Sequence, residues 1–260
     1  MRILSSGVLL SLLCAAMMAN ASNEPNDKAE SVNGHSHWGY SGHAGPEHWA
    51  ELSGEFSTCS NGLRQSPIDI SGAEIVKAQL SEIQFHYRTV NPEIINNGHT
   101  IQVNYPAGST MTVGGETYEL VQFHFHSPSE NTVAGKPYAM EMHLVHKNTK
   151  GELAVIAVFL KNGVQNDILQ AAWDKMPTNT GDQAKLGTTI NAVDLLPSNR
   201  VYSHFNGSLT TPPCSEGVNW YVMQQPVEVS AQQIARFTLV IGHNARPVQA
   251  LNKRFVLANQ

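Results

Sequence analysis

The chain has 260 residues, with 16 Lys and Arg against 21 Asp and Glu, a formal charge of −5 and 41% hydrophobic residues. That acidic balance disfavours nucleic acid or an anionic membrane surface as a partner. After the first residues no apolar run approaches the ~20 needed to cross a bilayer, and the length suits one large domain with a sizeable core.

Residues 1–21 carry one cation, Arg2, then an apolar stretch from Val8 to Met18, then Ala19-Asn20-Ala21. These are the three parts of a secretory signal peptide, so the expected location is periplasmic or secreted. Cys14 follows Leu12-Leu13, where a lipid-anchoring signal would want small residues. Removal of this segment leaves a charge of −6 and two cysteines, Cys59 and Cys214. An even pair in an exported chain reads as a disulfide, the alternative being two unrelated buried thiols. Closing so long a loop stabilises the fold by up to about 5 kcal/mol in the chain-entropy account.

Residues 22–34 are polar and aperiodic, a disordered leader to a domain over 35–260. His35, His37, His43 and His48 follow, mixed with Trp38, Tyr40 and Trp49. Their irregular spacing favours a packed aromatic segment over a metal site. From residue 83 onward short β-like runs alternate with turn signals. Thr100 to Tyr105 alternates, and Met111 to Tyr118 carries Gly114-Gly115 between two arms, a hairpin signal whose second arm runs on into a histidine strand. Tyr138 to Lys147 is the next strand, and the wholly apolar Leu153 to Leu160 suits a strand covered on both faces. Helical patterns are short: Asp167 to Lys175, and Ser230 to Arg236 with Ser230 as N-cap. One mainly β domain accounts for the whole.

Gln122-Phe-His-Phe-His126 places His124 and His126 on one strand face about 7 Å apart, near enough for their imidazoles to meet at one ion. His143, in Glu141-Met-His-Leu-Val-His146, closes the set from a neighbouring strand, whereas His146 faces the other way unless a bulge intervenes. Three histidines leave a fourth coordination position open, as catalytic zinc requires. A His-x-His strand alone is equally two packed or surface histidines. Gln122 and Glu141 shift that balance, since each shares a face with a candidate ligand and can accept its ring N–H. Thr210 and Glu130 form a further candidate pair, a hydroxyl that gives its proton to a carboxylate, against the bland reading of a turn residue and a surface glutamate.

His37-Trp-Gly-Tyr40, Gln65-Ser-Pro-Ile-Asp69, Asn97-Gly-His99, the two histidine strands and Ser208-Leu-Thr-Thr-Pro-Pro213 together, from about Trp38 to Val256, resemble the α-class carbonic anhydrases in their exported bacterial form. The resemblance implies a single domain with a large twisted, mostly antiparallel central sheet, short peripheral helices and zinc at the base of a conical cleft. It implies zinc on His124, His126 and His143, with Gln122, Glu141 and the carbonyl of Asn244 holding those rings. Thr210 and Glu130 would orient the nucleophile, and His99 would carry protons to bulk. Tyr40, Asn97 and Gln102 would order the proton-path water, Gln102 standing where many members have asparagine. Val145, Val155, Leu209, Thr210, Thr211 and Trp220 would receive the substrate, and Cys59 with Cys214 would form the family's disulfide, whose reduction is expected to disturb Thr210.

The implied reaction is zinc-dependent reversible hydration of carbon dioxide by zinc-bound hydroxide. The pKa of about 7 quoted for such a water comes from the carbonic anhydrases themselves. Sulfonamides and small anions would inhibit, activated esters would be side substrates, and a homodimer is known among exported relatives. The rivals are a catalytically inactive binding module on the same fold, against which the intact histidines speak, and an unrelated zinc hydrolase, for which no His-Glu-x-x-His pattern is present.

Overall fold

The computed structural model describes residues 37–70 and 75–259; the expected signal segment, the leader and His35 lie outside the described residues. Trp38, Tyr40 and Trp49 pack edge to face with ring centroids 5.3–5.9 Å apart, and Trp49 is wholly buried. Aromatic burial therefore organises this segment, while His37 and His43 stay at the surface. Two single-turn helices follow, α1 (Trp49–Leu52) and α2 (Thr58–Asn61).

Strands begin earlier than the sequence pattern suggests. β1 (Asp69–Ile70) and β2 (Ile75–Ala78) precede β3 (Gln84–His86), β4 (Glu93–Asn96) and β5 (Ile101–Asn104). The first two are held by parallel partners more than 60 residues away, a pairing that leaves no local periodicity to read. β6 (Thr110–Val113) and β7 (Glu116–His126) form the expected hairpin. Gly114 and Gly115 turn it with φ of 59° and 85°, the left-handed backbone that a tight two-residue turn demands.

β8 (Thr132–Val133) and β9 (Lys136–Pro137) join β1 in a small three-stranded sheet. β10 (Met140–Lys147) and β11 (Leu153–Asn162) form the central antiparallel pair, and β12 (Gln183–Lys185), β13 (Tyr202–Ser208), β14 (Glu216–Val229) and β15 (Val256–Asn259) complete the main sheet. Its order is β12-β4-β5-β7-β10-β11-β14-β13-β15-β2, with the β3–β6 ribbon beside β7. The pairs are antiparallel except β11 with β14 and β15 with β2. Two longer helices lie at the periphery, α3 (Asp167–Trp173) and α4 (Ala231–Ile241). The α4 N-terminus carries a full capping box between Ser230 and Gln233, and the helix runs beyond the expected Arg236 until Gly242.

β11 explains its own composition. Ala154, Ile156, Val158 and Leu160 enter the larger core on one face, and Val155, Ala157 and Phe159 enter a second core on the other. On β7 the core residues change phase, from Tyr118 and Leu120 to Phe123 and Phe125, all in the larger core. The change is a β-bulge, because Val145 of β10 pairs with Gln122 and His146 pairs with Leu120, leaving Val121 as an extra residue. A one-residue shift reverses every following side chain, so this bulge is what turns His124 and His126 away from the core.

His146 does not use the irregularity to reach His143. It is buried on the core side, with Nε2 2.5 Å from the Tyr87 hydroxyl and Nδ1 3.3 Å from the Ala154 carbonyl. Burial lowers its pKa to about 4, so it is a neutral packing residue.

Candidate metal centre and its cleft

The register of three neighbouring strands assembles the centre. His124 of β7 lies opposite His143 of β10 and opposite Gln102 of β5, while His126 lies opposite Glu141. The three imidazoles offer ring nitrogens that all lie within 4.8 Å of one another. Each uses its other nitrogen differently. His124 Nδ1 donates to Gln122 Oε1 at 2.9 Å, and His126 Nδ1 donates to the Asn244 carbonyl at 2.7 Å. His143 Nε2 lies 3.2 Å from Glu141 Oε1, within ion-pair reach but without the angle of a hydrogen bond. Two hydrogen-bond acceptors and the neighbouring Glu141 carboxylate therefore leave Nε2, Nε2 and Nδ1 free to face one another.

Electrostatics prepare these rings for a cation. Burial, and then their mutual repulsion, holds His124 and His143 well below the ordinary histidine value, and burial takes His126 to about 4. All three are thus neutral with lone pairs available at pH 7. Glu141 is completely buried and its carboxylate accepts the N–H groups of Glu130 and Asn131 at 2.8 Å and the Asn131 side chain at 2.7 Å. Those donors fix the group that faces His143.

Glu130 sits beside the histidines. Its Oε1 accepts the Arg246 backbone N–H at 2.9 Å, and the Thr210 hydroxyl lies beside the same carboxylate, where it favours the charged form. Its Oε2 lacks a well-directed donor and lies 3.4 Å from His126 Nε2 and 3.9 Å from His143 Nδ1. Burial raises the Glu130 pKa to about 8. Orphaned nitrogen and oxygen lone pairs converging on one buried point are costly unless a cation satisfies them. The donor set of three imidazoles fits zinc, with room for a fourth ligand.

A family model described as eukaryotic-type carbonic anhydrase matches residues 44–260. The chain belongs to that family. It is an enzyme of the carbonic anhydrase class, which catalyses the reversible hydration of carbon dioxide. A carbonic anhydrase of Klebsiella pneumoniae is 48% identical over 225 residues, covering 85% of this chain and 91% of that protein. One from Nostoc is 45% identical over 88% of this chain and 87% of its own length. The α-carbonic anhydrase of Thermovibrio ammonificans, solved with the inhibitor sulfanilamide, superposes with a TM-score of 0.84 at 47% identity over 86% of this chain and all of that one.

The cleft that leads to the histidines has a volume of about 140 Å³ and is lined by Trp38, Tyr40, Asn97, His99, Gln102 and Thr211, among others, with His124 and His126 at its floor. His99 is stacked flat on Trp38, ring centroids 3.7 Å apart and planes 5° apart. Burial, and then His37 with its ring 6.5 Å away, lowers the pKa of His99, so its imidazole is uncharged at neutral pH. Asn97 spends its side-chain oxygen on the N–H groups of His99 and Thr100, both within 3.0 Å, and its amide lies 3.4 Å from Gln102 Oε1. It shapes the turn that presents His99. Gln102 in turn donates to Asn104 at 2.6 Å. The Tyr40 hydroxyl is held protonated by burial and then by the nearby charge of Glu130.

Val155 and Trp220 belong to the second core, with Val145 and Leu209 packed against it, and Trp220 meets His143 edge to face at 4.9 Å. This apolar side adjoins the histidines. Cys59 and Cys214 form a disulfide with Cα atoms 5.0 Å apart. Asn131 and Arg246 are absent from the expected set, because both act through contacts ten or more residues distant in sequence, or through backbone atoms, and neither carries a local motif.

Proposed function

We propose that His124, His126 and His143 hold zinc and that the residues around them perform the hydration of carbon dioxide in an exported protein. The convergence of three free ring nitrogens, two of the rings hydrogen-bonded at their other nitrogen and the third set beside the Glu141 carboxylate, carries the metal assignment. Bound there, zinc supplies a Lewis acid that makes water nucleophilic near neutral pH.

This chain's own residues then set direction. Because the Thr210 hydroxyl gives its proton to Glu130, its oxygen is an acceptor toward the centre, and a nucleophile that donates to it has its lone pair aimed at the cleft. The Thr210 N–H is proposed to receive a substrate oxygen. Val145, Val155, Leu209 and Trp220, with Thr211 at the cleft, give a nonpolar gas a place that asks for no polar partners. His99 takes the departing proton to bulk, with Tyr40, Asn97 and Gln102 bordering the water it uses. Sulfonamides bind at the same centre by this reading, as sulfanilamide is found with the Thermovibrio protein. The disulfide and the signal-like residues 1–21 support the periplasm or the outside of the cell.

Stopped-flow hydration of carbon dioxide is expected to vanish when zinc is chelated and to return on adding it; a folded, zinc-loaded protein without activity overturns the reading. Replacing His99 by alanine is expected to cut kcat at least about tenfold in dilute buffer while kcat/KM holds, with imidazole restoring the loss. An unchanged kcat would remove His99 from the proton path.

A further inference from the structure

Arg246 is a cation with 3% of its surface exposed, and nothing above uses its side chain. The guanidinium donates from Nη2 to the Cys59 carbonyl at 2.9 Å, and from Nη1 to Gln65 Oε1 at 2.9 Å and to the Ser66 carbonyl at 2.7 Å. Its plane lies over Trp49 at 5.6 Å. A buried charge is tolerated when acceptors fill its fork, and a lysine ammonium cannot reproduce that geometry.

Gln65 passes the link on. Its Nε2 donates to the Cys214 carbonyl at 3.0 Å, and the Cys214 N–H donates to the Thr211 carbonyl at 2.8 Å. Ser66 and Ser208 exchange two further bonds, N–H to hydroxyl in each direction, at 2.9 and 3.1 Å. Gly207 permits this approach, since a Cβ there would collide with the Ser66 hydroxyl. Thus the turn that carries Thr210 is clamped at both ends, at Ser208 and at Cys214, by a segment that Arg246 grips. The same residue's backbone N–H holds Glu130.

We propose that Arg246 is a positioning residue for the reaction: its main chain fixes the Glu130 carboxylate while its guanidinium, through Gln65 and Ser66, fixes the Thr210 turn against it. The inference rests on the roles given to Thr210 and Glu130 above. If those two groups are aligned by one residue, loosening its side chain misdirects the Thr210 hydroxyl without touching the histidines.

The test compares two ligands on the zinc-loaded full chain and on its Arg246→Lys and Gln65→Met variants. Sulfanilamide brings an N–H that a hydroxyl oxygen can accept at the metal, whereas thiocyanate brings none. In both variants sulfanilamide is expected to weaken at least about tenfold relative to thiocyanate, the worth of a hydrogen bond to a charged group, with kcat/KM falling alongside and zinc content unchanged. A variant that keeps the parent's affinity ratio overturns the proposal, and so does equal weakening of both ligands, which would mark Arg246 as a structural brace alone. A parent chain that shows no preference for sulfanilamide would instead defeat the reading of Thr210 and Glu130. Should Arg246→Lys fail to fold, Gln65→Met decides by itself.

Discussion

Replacing Glu130 by glutamine lowers kcat/KM for carbon dioxide hydration by about a hundredfold to a thousandfold while zinc stays bound. The effect follows from polarity. The Arg246 N–H already occupies one carboxylate oxygen, so the amide oxygen of glutamine takes that place and an NH2 group faces Thr210. The threonine hydroxyl must then accept from glutamine and turn its own proton toward the centre, where an acceptor is wanted. Loss of one preorganised hydrogen-bonding group at a reacting centre costs on the order of 3–4 kcal/mol. Thr210→Ala is expected to cost a similar amount, and the double variant little more than either alone, because the two groups act as one unit. Stopped-flow rates on variants of matched zinc content check this. Additive losses would separate Thr210 from Glu130.

The second large effect concerns the metal itself. His143→Ala is expected to weaken zinc at least about a hundredfold, since three ligands share a binding energy on the order of 10 kcal/mol. The rate at fixed free zinc falls with occupancy. His146→Ala, three residues along the same strand, is expected to keep zinc affinity within about twofold and to lose stability instead, because its ring bonds Tyr87 and the Ala154 carbonyl on the opposite face. Competition with a chromophoric chelator distinguishes the two. Equal affinities in both variants would remove His143 from the ligand set, and a His146 variant that loses zinc would show the faces to be wrongly assigned.

Those contrasting variants also show how far a linear pattern reaches. Period-two alternation is a local property, so the pairing of Gln122 with His124, the separation of His143 from His146 and the two-sided burial of Leu153 to Leu160 could all be read along the chain. The bulge at Val121 could not, because an extra residue on one strand is defined only against its partner on β10. Nor could β1 and β2, whose hydrogen bonds are made to strands far along the chain. The resemblance places Asn97 beside the proton-path water; its side-chain oxygen also caps the turn that presents His99, an arrangement visible only once the loop has closed.

What the sequence determined by itself is the chemistry on offer: neutral imidazoles at strand spacing with acceptors on the same faces, an oxidisable cysteine pair, and enough alternating apolar residues for one sheet-built domain. Side-chain type and local period decide those things, and both are written along the chain. The tertiary structure alone decided which lone pairs meet. The packed sheet brings His126 to the Asn244 carbonyl, 118 residues away, and Glu130 to the Arg246 N–H, 116 residues away. It also leaves Glu130 Oε2 and the His126 ring nitrogen buried without well-directed hydrogen bonds around one point. Burial then supplies what no residue carries alone, pushing carboxylic acids up and imidazoles down until a cation is the partner that satisfies them all.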